Sequence, residues 1–379
     1  MRVFVSVCVR ITPSGYTRSG PESTFCCMFD PATVQELDSW GGLGVYSHRA
    51  ADLDAWIFVA LHDDRLGPPT GGTRLKVYAC PEDGLIDALR LSRGMTQKWA
   101  AIELPFGGGK AVLCLSRALG TEEKRRLLEA YAAVLNTLRG KFGTGQDLGT
   151  TAEDMRFLAG LSASVHGIDR ETGQVEDPGP HTALGVHAAM RSAFKHRFGS
   201  DSFGGRTIVI EGVGDVGAPL ARMLARDGAR LLLVDFDEAR AAALARELDA
   251  ETLACGDQFA TPCDVYAPCA TGATLNPETI PEFVCEMVCG SANNQLLSSA
   301  DAARLHARGI LYVPDFVANA GGAAYCSALG TGIVRSELEA RVLNIGTIVS
   351  EVCEEAAARN ETLLAAAERR VERMFDRPG

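Results

Sequence analysis

Apolar and polar positions alternate along the chain with two periodicities, one of two residues and one with helical spacing. Residues 55–64, AWIFVALHDD, are rich in β-branched and aromatic residues and predict a strand. In residues 81–101, Leu85, Ala88, Leu89 and Met95 recur at helical spacing and predict a helix. A glycine run leads into an apolar strand near residue 110, and residues 121–140 predict another helix. The first half of the chain therefore alternates strands with helices.

The second half repeats this alternation. Residues 205–248 predict a strand, a glycine-rich turn, a helix, a second strand and a second helix. Strands that end in loops follow in residues 263–270, 286–294 and 309–322, and a helical tail begins near Ser336. Strands that alternate with helices predict an α/β fold with a parallel sheet.

A chain of 379 residues is long enough for two domains. We predict a first α/β domain over residues 28–178 and a Rossmann-type domain over residues 179–327, with a cleft between them. The helices of residues 328–379 are expected to return to the first domain. Residues 1–27 differ in composition from the rest and are interpreted as an N-terminal extension, with Met28 as an alternative start.

Charge and cysteine usage exclude several classes of protein. The net charge of −11 argues against nucleic acid as a main partner, which requires a basic surface. The 12 cysteines contain no C-x-x-C pair and the histidines form no H-x-x-x-H group, so we predict no metal site. No apolar run approaches the ~20 residues of a membrane span, and a cytoplasmic location is expected.

A dinucleotide-binding motif is the strongest local signal. Gly212, Gly214 and Gly217 have the G-x-G-x-x-G spacing between an apolar strand and a helix. Such glycines permit a tight turn, close approach to a pyrophosphate and close packing of helix on strand. Asp235 ends the next strand, where a carboxylate accepts hydrogen bonds from the adenosine ribose. No arginine directly follows Asp235, so the pattern favours NAD over NADP.

Two lysines and an aspartate are candidates for chemistry. Lys98 lies near the end of a predicted helix, and Lys110 follows the glycine run of LPFGGGKAV. A lysine packed among apolar groups has a lowered pKa and can transfer protons. Asp147 is a lone acid in the loop GTGQDLGTT. Taken singly, the lysines are also compatible with surface positions, and Asp147 with a turn.

Together, these segments resemble the glutamate/leucine/phenylalanine/valine dehydrogenase family, and within it the leucine and phenylalanine dehydrogenases. The resemblance covers roughly Val45 to Tyr325. The matching segments, in family order, are GPPTGGTR, GMTQKWAA, LPFGGGKAV, GTGQDLGTT, TALGV, EGVGDVG, CDVYAPCATGA, GSANNQ and YVPDFVANAGG.

The resemblance implies NAD-dependent oxidative deamination of an L-amino acid by a homo-oligomer that assembles through the first domain. It implies that Lys110 polarises the carbonyl and activates water, and that Asp147 shuttles protons. Lys98 would hold the substrate carboxylate with the help of Asn293, Gly71 and Gly72. The implied cofactor contacts are Thr182, Gly212, Val213, Gly214, Asp215, Val216, Gly217, Ala218, Asp235, Phe236, Cys269, Ala270, Ser291, Ala292 and Asn293. Arg74 either faces the cofactor or forms a salt bridge within its loop.

The residues that would line the pocket for the substrate side chain are Thr70, Gly145, Ala323 and Cys326. Glutamate enzymes of the family carry lysine at the position of Thr70 and serine at that of Cys326, so glutamate is unfavourable here. The small residues Gly145 and Ala323 resemble the phenylalanine enzymes and favour a bulky apolar side chain. Leucine or valine remains an alternative substrate. A non-catalytic NAD-binding regulator is an alternative of another class.

Overall fold

The computed structural model describes residues 8–9, 31–169, 172–329 and 333–376. Internal contacts divide the chain into two units. The first comprises residues 1–100, 104–176 and 327–331, and the second comprises 101–103, 177–326 and 332–379. Apart from residues 8–9, the interpreted extension 1–27 lies outside the described residues.

The first unit contains a six-stranded mixed sheet in the order β1-β2-β3-β5-β4-β6. β3 pairs with β2 and β5 in antiparallel fashion, whereas β4 is parallel to β5 and β6. The strands are β1 (Cys8–Val9), β2 (Gly44–Ala50), β3 (Ala55–Asp63), β4 (Pro69–Val77), β5 (Gly107–Leu115) and β6 (Gly143–Gln146). The helices are α1 (Pro31–Trp40), α2 (Pro81–Ala101), α3 (Thr121–Thr137) and α4 (Ala152–Ala159).

The core of the first unit forms on both faces of this sheet because alternate residues of a strand point in opposite directions. On β3, Ile57 and Val59 belong to the cluster that contains residues of α3 and α4. Phe58 and Ala60, between and after them, belong to the cluster that contains Leu85 of α2. β5 lies between β3 and β4 and is buried along its whole length.

The second unit contains a six-stranded parallel sheet in the order β12-β11-β10-β7-β8-β9. Its strands are β7 (Thr207–Glu211), β8 (Arg230–Val234), β9 (Glu251–Thr252), β10 (Cys263–Pro268), β11 (Cys285–Val288) and β12 (Leu311–Tyr312). After β7 the chain proceeds to β8 on one side, whereas β10 begins the other half on the opposite side. This arrangement confirms the prediction of an α/β fold with a Rossmann-type domain.

The helices of the second unit comprise one that precedes its first strand and others that follow its strands. They are α5 (Pro178–Phe198), α6 (Gly217–Arg226), α7 (Glu238–Leu248), α8 (Ala300–Ala307), α9 (Asp315–Ala318), α10 (Gly321–Ala328), α11 (Arg335–Arg359) and α12 (Leu363–Asp376). Within the described ranges, no helix combines the length and apolar character that a membrane crossing requires.

The C-terminal helices α11 and α12 are grouped with the second unit by their internal contacts. Two glycines explain the close packing of α11 on α5. A Cβ on Gly346 would lie 3.0 Å from the carbonyl oxygen of Ala188, and one on Gly185 would lie 3.0 Å from Cδ1 of Ile345. The two helices can approach so closely because neither glycine has a side chain.

Candidate active site

Lys110 lies on the buried strand β5, directly after the glycine run Gly107–Gly109. A Cβ on Gly108 would lie 1.9 Å from Oγ1 of Thr96, so β5 packs directly against α2 at this point. A Cβ on Gly107 would lie 2.0 Å from the carbonyl oxygen of Asp63. Gly108 therefore allows a contact of β5 with α2, and Gly107 a contact with β3, that a larger residue would prevent. Lys110 follows these glycines, and its side chain is 5% exposed.

Lys110 is part of a chain of alternating charges. Its Nζ lies 3.1 Å from Oδ2 of Asp147. Nε of Arg74 donates to the same oxygen at 3.0 Å, and Nη1 of Arg74 donates to Oδ2 of Asp87 at 3.0 Å. The hydroxyl of Tyr78 also donates to Asp87, at 2.7 Å. Arg74 thus forms salt bridges with Asp147 and with Asp87 of α2, both of which lie outside its own loop.

The surroundings shift both pKa values of the central pair downwards. Burial lowers the pKa of Lys110 below its ordinary value of 10.5, although the charge of Asp147 opposes this shift. Burial raises the pKa of Asp147, but Lys110 and Arg74 outweigh it and bring the pKa to about 2. Asp147 is therefore ionised at neutral pH, and the ammonium of Lys110 loses its proton more readily than a lysine in water.

Asp147 is fixed by its own loop and by the strand beside it. Its backbone N–H donates to Oγ1 of Thr150 at 3.0 Å, and this hydroxyl also lies 3.1 Å from the carbonyl oxygen of Thr73. A Cβ on Gly72 would lie 2.8 Å from Cβ of Asp147 and 3.4 Å from Nζ of Lys110. A side chain at residue 72 would therefore push the pair apart.

The predicted side-chain pocket residues of the first unit share one face of the sheet. Thr70 pairs with Gly143 and Gly72 pairs with Gly145, so the alternation of strand residues places these four on the same side. Thr70 is buried, and its hydroxyl donates to the carbonyl oxygen of Pro68 at 3.0 Å. A Cβ on Gly145 would have only the carbonyl oxygen of His166 nearby, at 3.8 Å. Space is therefore available beside Gly145.

Lys98 lies on the last turn of α2 and is half-buried. Met95, one turn earlier, has its Cγ 3.3 Å from the point where a Cβ on Gly71 would lie. Trp99, the next residue, donates its Nε1–H to the carbonyl oxygen of Thr70 at 2.9 Å. The end of α2 that carries Lys98 thus packs against the glycine segment of β4.

The second unit carries the glycine-rich turn. Gly212 has a φ of +90°, and a Cβ there would lie 2.8 Å from Cβ of Ala270. A Cβ on Gly217 would lie 1.8 Å from the carbonyl oxygen of Gly212, whereas one on Gly214 would have nothing within 4 Å. The structure thus shows the tight turn, the close helix packing and the open approach that the motif predicts. Of the remaining predicted residues, Val213, Asp215 and Val216 lie between β7 and α6, and Ala218 is the second residue of α6.

Asp235 lies beside this turn and accepts three hydrogen bonds. The backbone N–H of Val213 donates to Oδ2 at 2.8 Å, and that of Asp237 donates to Oδ1 at 2.8 Å. Nη2 of Arg240 also donates to Oδ1, at 2.7 Å. Although no arginine directly follows Asp235, folding places one against it from the first turn of α7. Phe236 is 94% exposed next to this group.

Loops at the carboxyl ends of β7, β10 and β11 meet beside the turn. The backbone N–H of Cys269 donates to the carbonyl oxygen of Glu211 at 2.7 Å, and that of Ala292 donates to the carbonyl oxygen of Pro268 at 2.9 Å. In open parallel sheets, ligands bind at this crevice, where the strand order changes direction. Four of the predicted cofactor contacts lie in these loops: Cys269, Ala270, Ser291 and Ala292.

An asparagine that the sequence analysis did not select is central to a second cluster. Asn319 is 4% exposed, and its Nδ2 donates to Oδ1 of Asn293 at 2.9 Å and to the carbonyl oxygen of Ser291 at 3.1 Å. Its own Oδ1 is buried and has no hydrogen-bond partner among the described residues. Asn319 lies in the matching segment YVPDFVANAGG, which was the available signal.

Thr182 and α10 complete the predicted residues of the second unit. Oγ1 of Thr182 donates to the carbonyl oxygen of Pro178 at 2.9 Å. A Cβ on Gly322 would lie 2.3 Å from Oγ1 of Thr182. Ala323 and Cys326 are half-buried and three residues apart, so they share one face of α10.

Two family models match the chain. The model described as "Glu/Leu/Phe/Val dehydrogenase, dimerisation domain" matches residues 49–162. The model described as "Glutamate/Leucine/Phenylalanine/Valine dehydrogenase" matches residues 233–374. The two matches cover the lysine–aspartate pair and most of the second unit.

Several curated proteins are similar over most of the chain. A leucine dehydrogenase of Geobacillus stearothermophilus is 36% identical over 84% of this chain and 86% of its own length. A phenylalanine dehydrogenase of Lysinibacillus sphaericus is 34% identical over 84% of each chain. An L-tryptophan dehydrogenase of Nostoc punctiforme is 39% identical over 70% of this chain and 73% of its own.

Solved structures show the same architecture. The crystal structure of L-tryptophan dehydrogenase from Nostoc punctiforme has a TM-score of 0.77 and 32% sequence identity, and covers 90% of this chain and 98% of that chain. A hetero-hexameric glutamate dehydrogenase from Thermus thermophilus has a TM-score of 0.71 at 24% identity and is similar in fold.

Proposed function

The chain belongs to the glutamate/leucine/phenylalanine/valine dehydrogenase family, and we propose that it catalyses the NAD-dependent oxidative deamination of an apolar L-amino acid to a 2-oxo acid and ammonium. The observation that carries this proposal is the pair of buried Lys110 and half-buried Asp147, in which Nζ lies 3.1 Å from Oδ2. Such a pair supplies an amine whose lowered pKa lets it take a proton from water, and a carboxylate that moves protons.

The second unit fits a dinucleotide. The open backbone at Gly214 and the N-terminus of α6 suit a pyrophosphate, and Asp235 suits the adenosine ribose. The unpaired Oδ1 of Asn319 suits a ligand that donates a hydrogen bond. NAD, when bound, accepts the hydride that leaves the α-carbon of the substrate. A cofactor role for Arg74 is not part of the proposal, because two carboxylates already bind its guanidinium.

The protein residues would orient the amino acid and handle protons. Lys98 holds the substrate carboxylate, with the backbone of Gly71 and Gly72 close by, and Asn293 is proposed as a further contact of the substrate. Loss of the hydride leaves an imine, and a water attacks its carbon while neutral Nζ of Lys110 takes the proton of that water. Asp147 accepts this proton from Lys110 and passes it to the departing amine. A Lys–Asp pair sheltered from solvent performs these transfers without a metal ion.

We propose a bulky apolar substrate such as phenylalanine, with leucine or valine as the alternative. Gly145 leaves space on the sheet face that carries the pair, which favours the larger side chain. Glutamate is unfavourable because Thr70 is buried and uncharged, so a γ-carboxylate beside it would lack a counter-ion. The similar proteins named above act, by their names, on leucine, phenylalanine and tryptophan.

A panel of amino acids tests this proposal. Initial rates of NADH formation would be measured with NAD and with NADP for phenylalanine, tyrosine, tryptophan, leucine, valine and glutamate. We expect NAD-dependent rates with apolar members and the highest kcat/KM for an aromatic one. Glutamate as the best substrate would contradict the reading of Thr70 and Cys326. NADH binding without turnover of any member would support a non-catalytic NAD-binding protein.

We predict that the rate of deamination rises with pH and levels off once Lys110 is neutral, because neutral Nζ can take a proton from water. Burial lowers the pKa of Lys110, so the midpoint should lie below 10.5. The measurement is kcat/KM from about pH 7 to 11, which reports groups of the free enzyme and the free substrate. Measurements with two substrates whose amino groups differ in pKa distinguish titration of the enzyme from titration of the substrate. A midpoint that follows the substrate, or one above 10.5, would contradict the assignment to Lys110.

Gly145→Ala is predicted to shift preference towards smaller substrates. The new Cβ would meet only the carbonyl oxygen of His166 at 3.8 Å, so the fold should tolerate it. One methyl group in a pocket changes discrimination by ~1–3 kcal/mol, so kcat/KM for phenylalanine relative to valine should fall about tenfold or more. Gly72→Ala is the control, because its Cβ would lie 2.8 Å from Cβ of Asp147 and should reduce activity with every substrate. An unchanged ratio in Gly145→Ala would remove Gly145 from the pocket.

The proposal includes a homo-oligomer built through the first unit. The family model that matches residues 49–162 is described as a dimerisation domain, which supports this assembly. A cytoplasmic location, where free amino acids and NAD are both present, is proposed as well. The cleft between the two domains stays a prediction.

A further inference from the structure

Asp235 has few acceptor positions left for a ribose. A carboxylate offers about four lone-pair positions to hydrogen-bond donors. Three are occupied, by the backbone N–H groups of Val213 and Asp237 and by Nη2 of Arg240. The adenosine ribose of NAD presents two neighbouring hydroxyls, so Asp235 alone cannot accept both while Arg240 is in place.

Arg240 is suited to complete this recognition. Its side chain is 50% exposed, whereas that of Asp235 is 4% exposed, so the guanidinium lies on the solvent side of the carboxylate. A guanidinium has five N–H donors, of which the contact with Asp235 uses one. Arg240 also lies in the first turn of α7, where the helix dipole favours negative groups. Asp215 and Asp237 lie near enough to stabilise its charge.

We propose that Arg240 contacts the 2′-oxygen of the adenosine ribose, and that Asp235 and Arg240 together decide between NAD and NADP. This inference rests on the proposed function, which places the dinucleotide in the second unit. With both residues present, the carboxylate of Asp235 repels a 2′-phosphate and NAD is preferred. Without Asp235, the guanidinium of Arg240 becomes free to bind the phosphate through paired hydrogen bonds.

The test is the dissociation constant of NADH and of NADPH, measured by the fluorescence of the reduced nicotinamide. The proteins are the unaltered chain, Asp235→Ala, and Asp235→Ala combined with Arg240→Ala. We expect Asp235→Ala to bind NADPH about tenfold or more tightly than the unaltered chain, as a charge-assisted hydrogen bond provides. The double variant should lose this gain. Added salt should weaken NADPH binding to Asp235→Ala more than NADH binding.

A matched control uses Arg222, which pairs with Glu247 at 2.6 Å and has a similar exposure of 44%. Asp235→Ala combined with Arg222→Ala should keep the NADPH gain. If Asp235→Ala does not fold, Asp235→Ser replaces it, because a hydroxyl can still accept from Val213. Equal NADPH affinity with and without Arg240, or no gain on removal of Asp235, would overturn the inference. Failure of the unaltered chain to bind NADH would instead overturn the proposed function.

Discussion

Lys110→Met is expected to lower kcat by about 10³-fold or more, the range observed when a group that activates water is lost. Methionine keeps much of the volume of the buried side chain, so the loss would follow from the missing amino group. NADH affinity should stay within about twofold, because the predicted nucleotide contacts lie in the second unit and Lys110 in the first. The measurements are kcat with the best amino acid and the NADH dissociation constant.

Lys124→Met is the matched control for this variant. Lys124 also belongs to the first unit and forms an ion pair with Asp154 at 2.6 Å; its contact with the loop of Asp147 is a hydrogen bond of 3.5 Å to the carbonyl oxygen of Gly149. Its loss should leave kcat nearly unchanged, which separates the role of Lys110 from the loss of any lysine–aspartate pair. If NADH affinity fell in proportion to kcat in Lys110→Met, the variant would have damaged the protein as a whole, and the catalytic role would lose its support.

Asp147→Asn is expected to lower kcat by about 10²- to 10⁴-fold, because the amide cannot accept the proton that the mechanism assigns to this residue. The change also removes the negative charge that opposes burial at Lys110. The pKa of Lys110 should therefore fall further, and the residual rate should reach its plateau at a lower pH than in the unaltered chain. The measurement is kcat as a function of pH in both proteins.

Asp154→Asn is the control for Asp147→Asn, since it removes the carboxylate that pairs with Lys124. Its kcat should resemble that of the unaltered chain. Asp147→Asn with more than about a tenth of the original kcat would show that proton transfer does not depend on this carboxylate. An unchanged pH midpoint in Asp147→Asn would show that the titrating group is not in contact with Asp147.

Local signals in the sequence predicted most of the architecture. The glycine spacing around Gly214 and the acid at Asp235 are consecutive features of one strand–turn–helix–strand unit, so their positions follow from that unit. The glycines before Lys110 likewise indicated a close backbone contact, which the structure shows to be with α2. In both cases the physical constraint acts on residues close together in the chain.

Contacts between residues that are several positions or more apart in the sequence were harder to predict. The tail beginning near Ser336 reads as helix, but a helical pattern does not specify its partner, and α11 packs on α5 through Gly346 and Gly185. Arg240 lies five residues after Asp235, and only the start of α7 at Glu238 turns it back onto the carboxylate. Asn319 was identified as a site residue from its burial and its unpaired oxygen, although it also lies in the matching segment YVPDFVANAGG.

The most direct test of the account is the stoichiometry of the reaction with the best apolar amino acid. NADH, ammonium and the 2-oxo acid would be quantified in the same sample, for the unaltered chain and for Lys110→Met. We predict equal amounts of the three products from the unaltered chain and almost none from the variant, with NADH binding retained in both. NADH without equivalent ammonium, or equal product from Lys110→Met, would contradict oxidative deamination at the Lys110–Asp147 pair.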